Sequence, residues 1–255
     1  MFEETRVVPE PKLIWPYLAW TFGWSWGAGL VVVFLNTLLP GRLPFMLYGI
    51  SILATFGPAL GVKKVLRLSF REFLAFIFSR PSKKAWIPLV LLIAMLVLTT
   101  LLASKSWNSN SPFWLMPIFF VFTPICGGGN EEIGWRGFLQ PALEKRFSFW
   151  QATVLTGLVW ALWHAPLWLV SESHASTPFL IYTAGMILTS FAYAGLYKST
   201  QSVWCCAMLH AAENTIGLYL VPEGYNQIIY LVGIGLMAIY GSWLWYQNNS
   251  KDKKA

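Results

Sequence analysis

Apolar residues in this chain fall into long runs separated by short polar connectors, and the runs have the length of a bilayer crossing. The stretches Ala85 to Ala103 and Phe149 to Val170 are each about 20 residues long, enough for a helix rising about 1.5 Å per residue to span the hydrocarbon layer. Eight runs are readable, at roughly 13–38, 44–62, 86–104, 113–131, 149–170, 177–197, 202–220 and 226–247. The pattern predicts an all-α integral membrane protein of about eight transmembrane helices, a single polytopic domain over 1–255. Between the second and third runs, Leu68, Phe70, Phe73, Leu74, Phe76 and Ile77 can face one way while Arg71 and Glu72 face another. That spacing fits a helix along the membrane surface; an ordinary connecting helix fits it nearly as well.

Composition agrees with this class. Of the 255 residues 56% are apolar and only 11% charged, far short of the about 25% charge of a water-covered domain. The first twelve residues are mixed in charge (Glu3, Glu4, Arg6, Glu10, Lys12) and the run that follows is too long for a signal h-region, so a cleavable signal peptide is not expected. Cys126, Cys205 and Cys206 lie in apolar runs and read as small core residues, without disulfide or metal spacing.

The net charge of +7 becomes informative once the basic residues are placed. Setting Arg136 aside, two Lys or Arg precede the first run, seven lie between the second and third, two follow the fourth, one the sixth and three the eighth. The alternate connectors hold only Arg42 and Lys105. The positive-inside rule then puts both termini in the cytoplasm, at the plasma membrane if the source is prokaryotic. The charge is a topology signal and an anionic-lipid contact, about 1 kcal/mol per near-surface residue, rather than a nucleic-acid footprint.

Charged and polar groups inside such runs are costly, at least about 2.5–3.5 kcal/mol for an ion at the bilayer centre, and usually mark a function or a buried pair. They cluster in three places. In Asn130-Glu131-Glu132-Ile133-Gly134-Trp135-Arg136, Glu132 and Arg136 stand four apart on one helix face, in the favourable order for an ion pair. Glu131 is turned by about 100° and stays available. Gly127, Gly128 and Gly129, after Pro124, predict a break with Asn130 capping a new helix. The second place is His164, after Trp160 and Trp163. Glu131 and His164 lie 16 residues before and 17 after Phe147, close to the turn marked by Lys145 and Arg146; an antiparallel hairpin would put them at similar depth. In the third, His210 and Asn214 share a face at i, i+4. Glu213 points elsewhere and is structural, substrate-facing or close to the outer surface. A buried salt bridge, a packed histidine and interhelical polar glue, worth about 0.6–2 kcal/mol, are the bland counterparts of these clusters. His174, in the loop Ser171 to Pro178, reads as solvated.

Glu-Glu-x-x-x-Arg, aromatic-x-x-x-His and His-x-x-x-Asn, in that order on separate runs, resemble the CAAX protease and bacteriocin-processing (CPBP, or Abi) family, over a motif core from about Phe113 to Leu220. Trp160 stands where that family often has phenylalanine; the Gly127–Gly129 run and Glu213 fall outside the matched motifs. The resemblance implies a helical bundle enclosing an intramembrane catalytic cavity and an endopeptidase of the CAAX type. Glu131 would be the base that activates water, Glu132 and Arg136 would orient its helix, His164 would assist the water or the substrate carbonyl, and His210 with Asn214 would form the oxyanion site. The chemistry is consistent: an apolar cavity disfavours a carboxylate's charged form and so makes it a better proton acceptor, and fixed donors in low dielectric stabilise an oxyanion. No cofactor is expected. Two histidines and a glutamate could hold Zn²⁺, but H-E-x-x-H is absent and Asn is a poor zinc ligand, which favours a metal-free glutamic site. The substrate would be a membrane-bound or lipidated peptide, a prenylated CAAX-type tail among the options. Two other classes stay open at this point: a non-catalytic scaffold or immunity protein on the same fold, and a proton-coupled transporter, against which the missing inverted repeat argues.

Overall fold

A computed structural model describes residues 9–39, 42, 44–78, 81, 83–104, 112–169, 177–220 and 226–252. His174 and its loop, together with Arg6, Arg80, Lys105, Lys253 and Lys254, lie outside these. The described residues form helices α1 (Ile14–Leu38), α2 (Pro44–Ala54), α3 (Gly57–Val65), α4 (Phe70–Ile77), α5 (Trp86–Ala103), α6 (Met116–Cys126), α7 (Glu132–Gly134), α8 (Gln140–Glu144), α9 (Phe149–Trp163), α10 (Phe179–Thr200), α11 (Val203–Leu220) and α12 (Gln227–Asp252). A 3₁₀ turn, Gly129–Glu131, leads into α7, and a π-helical turn, Trp135–Leu139, joins α7 to α8.

The protein is an all-α, multi-pass integral membrane protein. Among the described residues, seven helical stretches are long and apolar enough to cross a bilayer. The eighth expected crossing, at 202–220, is the helix α11, but His210, Glu213 and Asn214 make it less apolar than the others. Its position explains how it tolerates them. Cys205, Cys206, Leu209, His210, Ala211, Thr215 and Tyr219 are all buried, and α11 packs against α5, α6 and the Gly129–Leu139 segment. A helix covered by protein needs no lipid-like surface.

Two runs read as continuous are interrupted. The run at 44–62 breaks between α2 and α3, where Gly57 and Pro58 restart the helix. The run at 149–170 ends at Trp163 because Pro166 bars regular helix for the residue before it; His164 caps α9 and a 3₁₀ turn, Ala165–Leu169, follows. The surface segment is an eight-residue helix, α4, with a capping box in which the Ser69 N–H donates to Glu72 Oε2 (2.8 Å) and the Glu72 N–H to Ser69 Oγ (3.3 Å). Close helix contacts use small residues: α10 and α12 cross with Gly195 against the backbone of Gly241, the device membrane helices use in the absence of a hydrophobic drive between them.

The basic connectors share one end of the molecule. Lys198, in the last turn of α10, is paired with Glu144 of α8. Phe149, at the start of α9, stacks on Trp245 near the end of α12, with 4.6 Å between ring centroids. The Glu10 carboxyl, before α1, is held below its usual range by its ion pair with Lys12 and, more weakly, by Lys145.

Candidate active site

The three polar clusters meet around the junction of α6 and α7. Pro124 and Gly127 end α6, and Gly128 carries the chain round at φ +109°, a value L side chains rarely adopt. A Cβ on Gly128 would lie 2.5 Å from Asn214 Nδ2 and 2.8 Å from His210 Nε2. Gly129 likewise abuts Pro124 and the carbonyl of Ala207. The glycine run therefore lets this backbone press against α11 beside both of its motif residues. Asn130 does not cap the new helix as expected. Its Oδ1 accepts from the Gly128 N–H (3.2 Å) and its Nδ2 donates to Thr55 Oγ1 (3.2 Å), because the 3₁₀ turn begins before it and its side chain is used to brace the left-handed residue instead.

From this turn the two acids diverge. Glu132 and Arg136 are both wholly buried and form the expected i, i+4 pair, with Arg136 Nη1 donating to both carboxylate oxygens at 3.0 and 2.8 Å. Arg136 Nη2 donates to Ser190 Oγ (3.0 Å). Its guanidinium is sandwiched between the rings of Trp160 and Tyr193, 4.4 and 4.5 Å from their centroids, a desolvated cation–π arrangement. Glu131, 4% exposed, faces away from this pair. Its Oε2 accepts from the indole N–H of Trp160 (2.9 Å) and of Trp135 (3.4 Å). Both bonds fall on Oε2, so among the described residues Oε1 has no donor.

His210 joins the acids. Its Nδ1–H donates to Glu132 Oε1 (3.0 Å), the Arg136-paired carboxylate being the acceptor; that assigns the tautomer from its partner and turns Nε2 toward Gly128. Asn214, on the same face of α11, donates from Nδ2 to the Gly127 carbonyl (2.7 Å), which uses one of the two hydrogens on that nitrogen. Glu213 accepts from the Tyr193 hydroxyl (2.7 Å). The residue undecided in sequence thus closes a chain running from Tyr193 to Arg136.

His164 stands one turn beyond Trp160. Its Nδ1–H donates to the Trp160 carbonyl (2.9 Å), and its ring lies 6.1, 4.7 and 5.7 Å from those of Trp160, Trp163 and Tyr182. The hairpin turn falls at Lys145 to Ser148, as the symmetry of Glu131 and His164 requires, but the side chain meeting Glu131 across the hairpin is Trp160. Its ring also lies 5.5 Å from His210, so Trp160 touches every motif except the Asn. No group of three or more His, Cys, Asp or Glu that could hold a metal occurs among the described residues.

Residues 109–216 match the family of type II CAAX prenyl endopeptidases, Rce1-like. The CAAX prenyl protease 2 of Methanococcus maripaludis is 33% identical over 100 residues, a match covering 34% of this chain and 36% of that protein. The similarity therefore spans about a third of the curated relative's length. The family is the one the three motifs point to, and the matched segment holds Glu131, Glu132, Arg136, His164, His210 and Asn214.

Proposed function

We propose that the chain is an intramembrane endopeptidase of the Rce1-like CAAX prenyl type, which its residues 109–216 match, acting on a membrane-associated or lipidated protein substrate, such as a prenylated C-terminal tail. Glu131 is the base. It takes a proton from water, the resulting hydroxide adds to the scissile carbonyl, and the same proton passes to the departing amine as the C–N bond breaks. His164 steadies the water or the carbonyl. The second hydrogen of Asn214 Nδ2 stabilises the oxyanion, joined by His210 as the imidazolium, whose Nδ1–H stays on Glu132 while its Nε2–H serves the oxyanion; loss of one such donor typically costs about 10²–10³ in rate.

The observation that carries this reading is the asymmetric hold on Glu131. Two indoles fix Oε2 while Oε1 accepts from none of the described residues, in a setting 4% exposed. A carboxylate kept for structure alone would use both oxygens, as Glu132 does. The reading is metal-free because the H-E-x-x-H spacing is absent and Asn214 is a poor zinc ligand. Orientation with both termini and the basic connectors in the cytoplasm belongs to the same proposal and suits a substrate whose tail lies at that face.

The test is cleavage of a membrane-embedded reporter peptide in proteoliposomes. Glu131→Gln, which keeps shape and most hydrogen bonds, should abolish cleavage while the protein elutes and melts as wild type. Turnover retained by this variant would remove Glu131 from the role of base. Wild-type turnover should survive exhaustive chelation; loss restored by added Zn²⁺ would overturn the metal-free reading.

A further inference from the structure

A groove of about 480 Å³ lies away from the glutamate–histidine cluster, on the flank formed by α1 and the end of α3. Trp20 and Trp24 line it from α1, Leu60, Lys63 and Lys64 from α3, and Arg67 and Leu68 from the turn that follows. Among the described residues no acidic side chain lines it, and Lys63, Lys64 and Arg67 take part in no ion pair. Lys64 instead lies over the Trp20 ring, 5.0 Å from its centroid, and the Trp24 indole is held by the Leu53 carbonyl (2.8 Å).

The turn itself is informative. The Leu68 N–H returns to the Lys63 carbonyl (3.2 Å) and the Arg67 N–H to the Lys64 carbonyl (3.3 Å), the two bonds of a Schellman C-cap, whose left-handed position normally takes glycine or asparagine. Here an arginine occupies it, at φ 52°. A β-carbon in that region is strained, and such strain is retained where the side chain has a use. The turn folds Arg67 back beside Lys63 and Lys64, bringing three cations to one edge of a floor made by two indoles and a leucine.

We propose that this groove binds one anionic glycerophospholipid, its phosphate against Lys63, Lys64 and Arg67 and an acyl chain along Trp20, Trp24 and Leu60. Charge complementarity selects the headgroup. The lipid, rather than free phosphate, is selected by the tryptophan floor, which is half-exposed at Trp20 and Trp24 and continuous with the exposed Leu53 of α2. The groove sits where the spans Pro11–Leu38 and Phe45–Val65 reach the basic end of the molecule, the level at which tryptophan and basic residues meet headgroups. The assignment does not depend on the chain being a protease.

Native mass spectrometry of the full chain in mild detergent, offered phosphatidylglycerol and phosphatidylcholine with identical acyl chains, reads the proposal directly. Phosphatidylglycerol should be retained in preference, and Lys63→Gln/Arg67→Gln should lower that preference by about 25-fold, about fivefold per cation. The equal charge change Lys145→Gln/Arg146→Gln, at exposed positions on the same face, should leave it intact. Arg67→Gly separates binding from folding: it should raise the melting temperature of the lipid-free chain while weakening phosphatidylglycerol. Equal retention of the two lipids, an equal loss in the 145/146 variant, or complete displacement of the lipid by millimolar inorganic phosphate would each overturn the assignment.

Discussion

Replacing Arg136 by leucine removes both hydrogen bonds to Glu132, the bond to Ser190 and the packing between Trp160 and Tyr193. Glu132 is wholly buried and is left with His210 as its partner. Breaking a buried pair from one side typically costs about 3–5 kcal/mol, because the remaining charge is uncompensated. The desolvated cation–π contacts, about 2 kcal/mol or more, push the cost toward the upper end without adding in full. At about 2–4 °C per kcal/mol for a chain of this size, the apparent melting temperature should fall by roughly 6–20 °C. The assay is thermal unfolding in mild detergent followed by size-exclusion fluorescence, on Arg136→Leu, Glu132→Gln and the double variant. Glu132→Gln keeps an acceptor for His210 while removing the charge, so the double variant should be more stable than Arg136→Leu alone, with a coupling above about 1 kcal/mol. A fall of less than about 3 °C for Arg136→Leu, or strictly additive singles, would refute the claim that Arg136 compensates the buried Glu132 charge.

Three further outcomes follow from other parts of the structure. Gly128→Ala meets both a positive φ and a collision with Asn214 and His210, so cleavage should fall by at least about 10² through the loss of a placed oxyanion donor, while Gly27→Ala, with nothing within 4 Å, should leave activity unchanged; an active Gly128→Ala enzyme would show that this approach is not used. Trp160→Phe keeps the ring but deletes the 2.9 Å donor to Glu131; steady-state kinetics should show a kcat reduced about tenfold or more at unchanged KM, since a charge-assisted bond is worth about 1.5–3 kcal/mol, and a change confined to KM would make Trp160 a substrate contact instead. The hydrogen bonds from the Ser69 side chain and backbone hold Glu72 below the usual carboxylate range. This cap should stabilise α4 above the unfolded carboxylate value and be lost as pH falls below about 4. Hydrogen exchange over 70–77 should therefore lose protection in acid in the wild type, and Ser69→Ala should lack that transition.

Much of this was readable from residue order because membrane helices obey simple rules. Run length gave the crossings, the acid-before-base spacing gave the Glu132–Arg136 pair, and the basic connectors gave a common end that the Lys198–Glu144 contact and the Phe149–Trp245 stack also mark. What escaped were residues whose types are ordinary in a membrane span. Trp135 and Trp160 look like two more of 15 tryptophans until the indole N–H groups are seen to converge on one oxygen; the spacing of Trp135 from Glu131 was the one available signal. Ser190 and Tyr193 come from α10, outside every motif, and only tertiary packing brings them to Arg136. Asn130 was misjudged because local capping rules assume a helix begins after it, whereas the 3₁₀ turn already includes it.

The departure at Trp160 then acquires a physical meaning. A phenylalanine at that position can pack on Arg136 and His210 but cannot donate to Glu131. The indole does both, with its face on the guanidinium and its edge on the carboxylate. One side chain thus couples the buried ion pair, which sets where α7 lies, to the acid left free by that pair. The π-helical turn at Trp135–Leu139 serves the same end, since such single-turn bulges displace side chains from the regular helical rows and recur at functional sites. Glu131 and Glu132 are neighbours in sequence with the same chemistry, yet one is saturated by Arg136 and His210 and the other is held by one oxygen alone. Their difference arises from what packs against each face of one irregular turn.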